Sequence, residues 1–149
     1  MATRQLSPFE LNIEGVDLKA MANTQYQNTD PLDVTRDFAY TAVVTVVNVG
    51  GGSNGAAKLT IEVLEKDKTT VAHSVDILTA IDTKTSGTTR NVVKWGYGTI
   101  PTVDGAATLD SDGAEVLALA RYINVVLEVT TASDGTSSVA DVHFFSESI

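Results

Sequence analysis

Two histidines, His73 and His143, are the first residues to ask for chemistry. His73 lies among Val71, Val75 and Ile77, which is the setting of a hydrogen-bonded core or interface histidine. His143 shares a strand face with Asp141 and Phe145. No His-x-His or His-x-x-x-His spacing supports a metal site, and catalysis would need both imidazoles to converge on an acid. The peptide Leu109-Asp110-Ser111-Asp112-Gly113-Ala114-Glu115 has the Asp-x-Asp-Gly look of a calcium loop. It lacks the 12-residue frame and flanking helices of an EF-hand. A solvated turn and a weak cation site both remain open there. Asp30, Asp33 and Asp37 suit turn and cap chemistry. Cysteine is absent, which removes disulfides, thiolate metal sites and cysteine nucleophiles. Serine and threonine are plentiful, yet no Gly-x-Ser-x-Gly elbow occurs. Glycines at 50, 51, 52 and 55 precede Ala56 and Ala57, where a phosphate loop would need Lys and Ser/Thr followed by a helix. This segment reads as a flexible loop. The residues therefore predict no catalytic site, no bound metal and no cofactor.

One aromatic pair, Trp95 and Tyr97, alternates with Gly96 and Gly98. Such a pair can cap a core, anchor a protein interface or stack against a sugar.

The elements that position these residues are strands. Threonine and valine dominate, and β-branched side chains pack well on a pleated surface. Leu11 and Ile13 alternate with polar residues, then Gly15 shifts the phase toward Val16 and Leu18, as a bulge would. Residues 23–31 are polar and without a period, and read as a loop or extended arm. Residues 38–49 form the strongest strand. Val43, Val47 and Val49 fall on one face and Val44 and Val46 on the other, so both faces are apolar. Such a strand is central in its sheet or covered by a partner. Phe38, Tyr40, Val44, Val46, Trp95 and Tyr97 are accordingly the candidate partner-interface residues.

Leu59, Ile61 and Val63 alternate with Lys58, Thr60 and Glu62, and Lys66-Asp67-Lys68 is a hairpin turn into a strand over 71–77. Residues 81–90 read as a connection, followed by a short strand at 91–95 and a brief edge strand at 106–109. Residues 115–120 have fair helical propensity but are short enough to lead straight into the next strand. Ile123, Val125, Leu127 and Val129 share a core face, and so do Ala140, Val142 and Phe144. About seven to nine strands at 8–12-residue spacing, with no helix long enough for parallel crossovers, predict an all-β, antiparallel β-sandwich. The expected division is an N-terminal arm with a first short strand over 1–35 and the sandwich domain over 36–149.

A chain of 149 residues buries roughly 70% of its unfolded surface, enough for a core without staples. The formal charge is −9, from 19 acidic against 10 basic residues. That balance repels nucleic-acid phosphates and anionic lipid, so neither nucleic acid nor membrane is expected as a partner. No stretch approaches the ~20 apolar residues of a membrane span. Residues 1–8 lack the apolar core of a signal peptide, so secretion by a signal-dependent route is not expected.

The end of the chain, Ala120-Arg121-Tyr122-Ile123-Asn124-Val125-Val126-Leu127-Glu128-Val129-Thr130, a Gly-containing turn and Ser138-Val139-Ala140-Asp141-Val142, looks like the last hairpin of many small phage virion proteins. The doubly apolar strand, the Gly-rich loop and Ala57-Lys58-Leu59-Thr60-Ile61-Glu62-Val63-Leu64 add to the likeness. In layout and composition, residues 38–146 resemble the capsid cement (decoration) proteins of tailed bacteriophages, particularly the Bordetella-phage-type cement family. The resemblance implies a jelly-roll-like sandwich that forms homotrimers and clamps major capsid protein subunits on the outer surface of the virion, after synthesis in the bacterial host cytoplasm. It carries over no catalytic residue. The alternative is a carbohydrate- or receptor-binding sandwich module, as in a phage fibre, with Trp95, Tyr97 and residues 110–115 as its site.

Overall fold

In the computed structural model, residues 10–35, 37–118 and 120–148 are described; the reading of residues 1–8 lies outside them. Eleven strands and one short helix are found among the described residues, in the order β1 (Glu10–Asp17), β2 (Gln25–Gln27), β3 (Leu32–Asp33), β4 (Asp37–Val49), β5 (Ala56–Leu64), β6 (Val71–Asp82), β7 (Gly87–Gly96), β8 (Thr102–Asp104), β9 (Thr108–Leu109), α1 (Ser111–Leu117), β10 (Tyr122–Thr131) and β11 (Ser137–Ser148). Every pairing between them is antiparallel. One sheet has the order β1-β11-β4-β7-β8, and the other runs β2-β10-β5-β6-β9, with β3 also on β10. The chain is the antiparallel β-sandwich that the patterning predicts, with the jelly-roll-like layout that the resemblance implies.

The two inner faces close over one core. The five-stranded sheet contributes Tyr40, Ala42, Val44 and Val46 from β4, Val93 and Trp95 from β7, and Ala140, Val142 and Phe144 from β11. Tyr40 stacks on Trp95, ring centroids 5.4 Å apart, and Phe144 lies 6.3 Å from Tyr40 and 6.1 Å from Trp95. The six-stranded sheet answers with Leu59, Ile61, Ile77, Leu78, Ile81, Ile123, Val125, Leu127 and Val129.

The predicted bulge is present: the β1–β11 register shifts between Ile13 and Val16, and Gly15 takes a φ of 66°. Residues 10–35 are built into the sandwich rather than held apart from it. β1 is an edge strand of one sheet, β2 and β3 lie against β10 in the other, and Val16, Leu18, Leu32 and Val34 are buried in the common core. β6 extends to Asp82, well past the expected end at 77, because Ala80 adopts a φ of 56° and lets Leu78 and Ile81 both reach the core.

Candidate functional site

Each sequence-predicted residue has a definite place. Tyr40, Val44, Val46 and Trp95 are core residues, so they are not available to a partner. The reason lies in the register of β4. Its two flanking strands point Trp95 and Phe144 inward, and the even-numbered residues of β4 must join them. Phe38 is half-buried at the start of β4. Tyr97 alone of the six is largely exposed, at 72%. Trp95 and Tyr97 do not form a platform. β7 ends at Gly96, Gly98 turns the chain with a φ of 70°, and the Tyr97 N–H donates to Phe38 O at 2.9 Å, so the two rings part company.

The histidines are separated too. His73 is exposed on β6 and His143 on β11, one on each sheet. They do not converge. Asp110 is the N-cap of α1, and its carboxylate accepts from the Gly113 N–H at 2.9 Å. The calcium-like spacing is thus a helix cap. Among the described residues no group of three or more His, Asp or Glu could hold a metal ion. Among the described residues no helix is long and apolar enough to cross a membrane.

The Gly-rich segment is not a slack loop. Gly52 N–H donates to Lys84 O at 2.9 Å, Asn54 N–H donates to Asp134 Oδ1 at 3.1 Å, and Asp134 N–H donates to Asn54 O at 3.2 Å. A Cβ at Gly50 would meet Thr136 Oγ1 at 2.3 Å, and Gly50 itself has a φ of 75°. Glycine is needed there for conformation and clearance together. The loop is laced to the turns at 83–86 and 132–136.

Shifted ionisations are few and trace to local hydrogen bonds or burial. Burial, then the neighbouring Asp37 charge, pushes the Tyr40 phenol up to about 12, and its hydroxyl donates to Asp37 O at 3.0 Å. Asp67 caps the 65–70 hairpin. The Thr70 hydroxyl and the Thr70 and Thr69 N–H groups hold its carboxyl at about 2. At Asp82 partial burial opposes ionisation, but the Thr85 hydroxyl and the Lys84 and Thr85 N–H groups outweigh it and hold the carboxyl below its ordinary value. All three are turn or core features, away from any cluster of nucleophiles.

What remains is surface, and its two broad faces differ. On the six-stranded sheet the outward side chains satisfy one another. Lys58 bridges Asp76 at 3.2 Å and Glu128 at 3.5 Å, and its ammonium pKa is raised, chiefly by the hydrogen bond to Asp76. Thr60 Oγ1 donates to Asp76 at 2.8 Å and Gln25 to Glu128 at 2.6 Å. On the five-stranded sheet the outward residues of β11, β4 and β7 include Val139, Phe145, Val43, Val47, Val49 and Val92. Among the described residues no side chain–side chain hydrogen bond or ion pair joins them; His143 meets Phe145 edge to face at 5.4 Å.

A third surface is the end where β7 turns back. Tyr97 and Ile100, the latter 84% exposed, stand there beside a hollow of about 360 Å³ between residues 96–100 and Glu115 and Ala118 of α1. Val116 adds a further exposed apolar side chain on α1. Ile100, Val116 and the outward valines were missed in the sequence. Ile100 sits alone in a turn, and the valines sit on a strand whose other face is equally apolar.

No family model matches the chain, the cement family included, and no curated protein matches it. Similar solved structures include the infectious bursal disease virus Gx strain, at 13% identity over 95% of this chain, with a TM-score of 0.40. This chain spans about a third of that viral chain, 32% of its length. The winged bean acidic lectin complexed with methyl-α-D-galactose is 8% identical over 95% of this chain and 99% of that chain, with a TM-score of 0.47. Lectin II from Ulex europaeus is 9% identical over 95% and 93%, with a TM-score of 0.48. Likenesses this distant carry no residue role across, and the sandwich fold is established by the strand pairing itself.

Proposed function

We propose that the chain is a non-enzymatic structural virion protein that decorates the outer surface of a bacteriophage capsid and clamps neighbouring major capsid protein subunits. The observation that carries the reading is the pair of exposed apolar side chains, Tyr97 and Ile100, that line a hollow beside α1. Exposed aromatic and aliphatic anchors around a shallow hollow are what a protein partner buries. A rigid sandwich suits repeated weak contacts multiplied by copy number. Net charge −9 disfavours contact with packaged DNA, which supports an outer position in this reading.

Co-sedimentation with empty capsids tests the reading. The full chain is expected to pellet with capsids, and Ile100→Asp is expected to lose about ten-fold in affinity, the worth of one buried aliphatic anchor. A full chain that stays in the supernatant at every capsid concentration ends the proposal. A second reading, binding of a glycan or receptor, is favoured by the Tyr97 ring beside its hollow. It requires sugar affinity that Tyr97→Ala abolishes.

A further inference from the structure

We propose that the outward face of the five-stranded sheet is a self-association surface, on which two copies of this chain stack face to face about a two-fold axis running along β4. This goes beyond the capsid reading, since it concerns the contact between copies and not the contact with a capsid. It replaces the three-fold assembly that the cement resemblance implies.

The argument starts from the rows that the strand register sets across the sheet. Val139, Val47 and Thr88 share one row; Asp141, Thr45 and Arg90 share the next. His143, Val43 and Val92 follow, then Phe145, Thr41 and Lys94. All of these side chains point outward, away from the core residues that alternate with them. A two-fold axis along β4 leaves each row in place and exchanges its two sides. Arg90 then faces Asp141 of the second copy, and the reverse contact repeats on the other side of the axis. Lys94 faces the ring of Phe145, a cation–π arrangement. Val43 and Val47 meet their own counterparts on the axis, where a dry apolar centre belongs.

The alternative axis, across the strands at the level of Val43, exchanges the rows instead and keeps each strand over itself. It sets Arg90 opposite Lys94 of the second copy, a like-charge contact that disfavours that pairing. Charge therefore favours the first of these two arrangements. Aligned sheets cross at about 30°, which offsets residues one strand from the axis by only about 2–3 Å at a strand spacing of about 4.8 Å, well within the reach of an arginine. The face measures on the order of 600 Å² from strand spacing and rise, close to the ~800 Å² per partner of a standard interface. The opposite face of the sandwich offers no such surface, because its Lys58, Asp76 and Glu128 already satisfy one another.

The test is mass against concentration for the full chain, by sedimentation equilibrium. A dimer is expected. Arg90→Glu and Asp141→Lys each put like charges in contact twice and are expected to weaken it about ten-fold or more. Combining them restores opposite charges and is expected to recover the affinity to within a few fold. Val47→Lys, which sets two ammonium groups on the axis, should give a monomer with the parent's circular dichroism spectrum and a thermal midpoint that no longer depends on concentration. As a check on orientation, Thr45→Cys introduces the only cysteine. It should cross-link to its counterpart with a bismaleimide of about 10 Å, the spacing of stacked sheets. A monomer, a trimer, or a charge-swapped double variant no better than its parents overturns the inference. Capsid pelleting is read separately, so a dimer that ignores capsids refutes the functional reading and leaves this one standing.

Discussion

Replacing Trp95 by alanine, beside the same change at Tyr97, separates the core from the surface in two residues that the sequence presents as a pair. Trp95 is 2% exposed and stacks on Tyr40 at 5.4 Å, with Phe144 at 6.1 Å. Truncating a buried Trp costs about 3–5 kcal/mol in transfer and cavity terms. The loss of two aromatic contacts adds up to about 1 kcal/mol more. For a domain of this size each kcal/mol lowers the thermal midpoint by about 2–4 °C, so Trp95→Ala is expected to lower it by about 6–24 °C. Tyr97, largely exposed, makes only a backbone contact to Phe38, and its truncation should stay within about 0.5 kcal/mol. Urea titration followed by circular dichroism measures both, and an unchanged m-value confirms that stability alone has moved. Equal losses, or a larger loss at Tyr97, would refute the placement of the two rings on opposite sides of the end of β7.

Three further outcomes follow from groups described above. Tyr40, raised to about 12 when folded against an ordinary 10, contributes stability that is complete below pH 10 and is lost as pH rises toward 12. Unfolding measured from pH 9 to 12 should fall more steeply for the native chain than for Tyr40→Phe, and four tyrosines ionising together near pH 10 would contradict this. Asp67, held at about 2 by Thr70 and Thr69, contributes above the ordinary carboxylate range and loses that contribution as pH falls through about 2. Thr70→Val should move its NMR titration midpoint upward, and an unmoved midpoint removes the hydroxyl as the leading cause. A Cβ at Gly96 would sit 2.3 Å from Phe38 O and 3.0 Å from Ala39 Cα. Gly96→Ala must therefore push β7 from β4 and is expected to cost about 1–3 kcal/mol by chemical denaturation; a neutral result would mean the strands are not in this close contact.

The fold was legible where a strand's apolar residues kept strict period two on one face and polar residues interrupted the other. In β10, Ile123, Val125, Leu127 and Val129 are buried as their spacing predicts, and in β11 so are Ala140, Val142 and Phe144. Gly15 marked its bulge because a phase change in the hydrophobic pattern has few other causes. Parity failed in β4, where valines occupy both faces and nothing local distinguishes in from out. Only the large rings on its paired strands decide it, and those are distant in sequence. The same gap hid the surface. The outward valines became visible as candidates only when the register of β4 was known. Asp110 left two readings open for a different reason. A cap and a calcium ligand both want a short carboxylate before a glycine-containing turn, and the helix that distinguishes them is only seven residues long.

The clamped glycine loop bears on how the molecule can be cut or extended. Its residues are tied by backbone to two other turns and leave no room even for a methyl group at Gly50. A protease, which needs slack chain, has little purchase there despite the run of glycines. An epitope tag spliced into it would unlace one end of the sandwich.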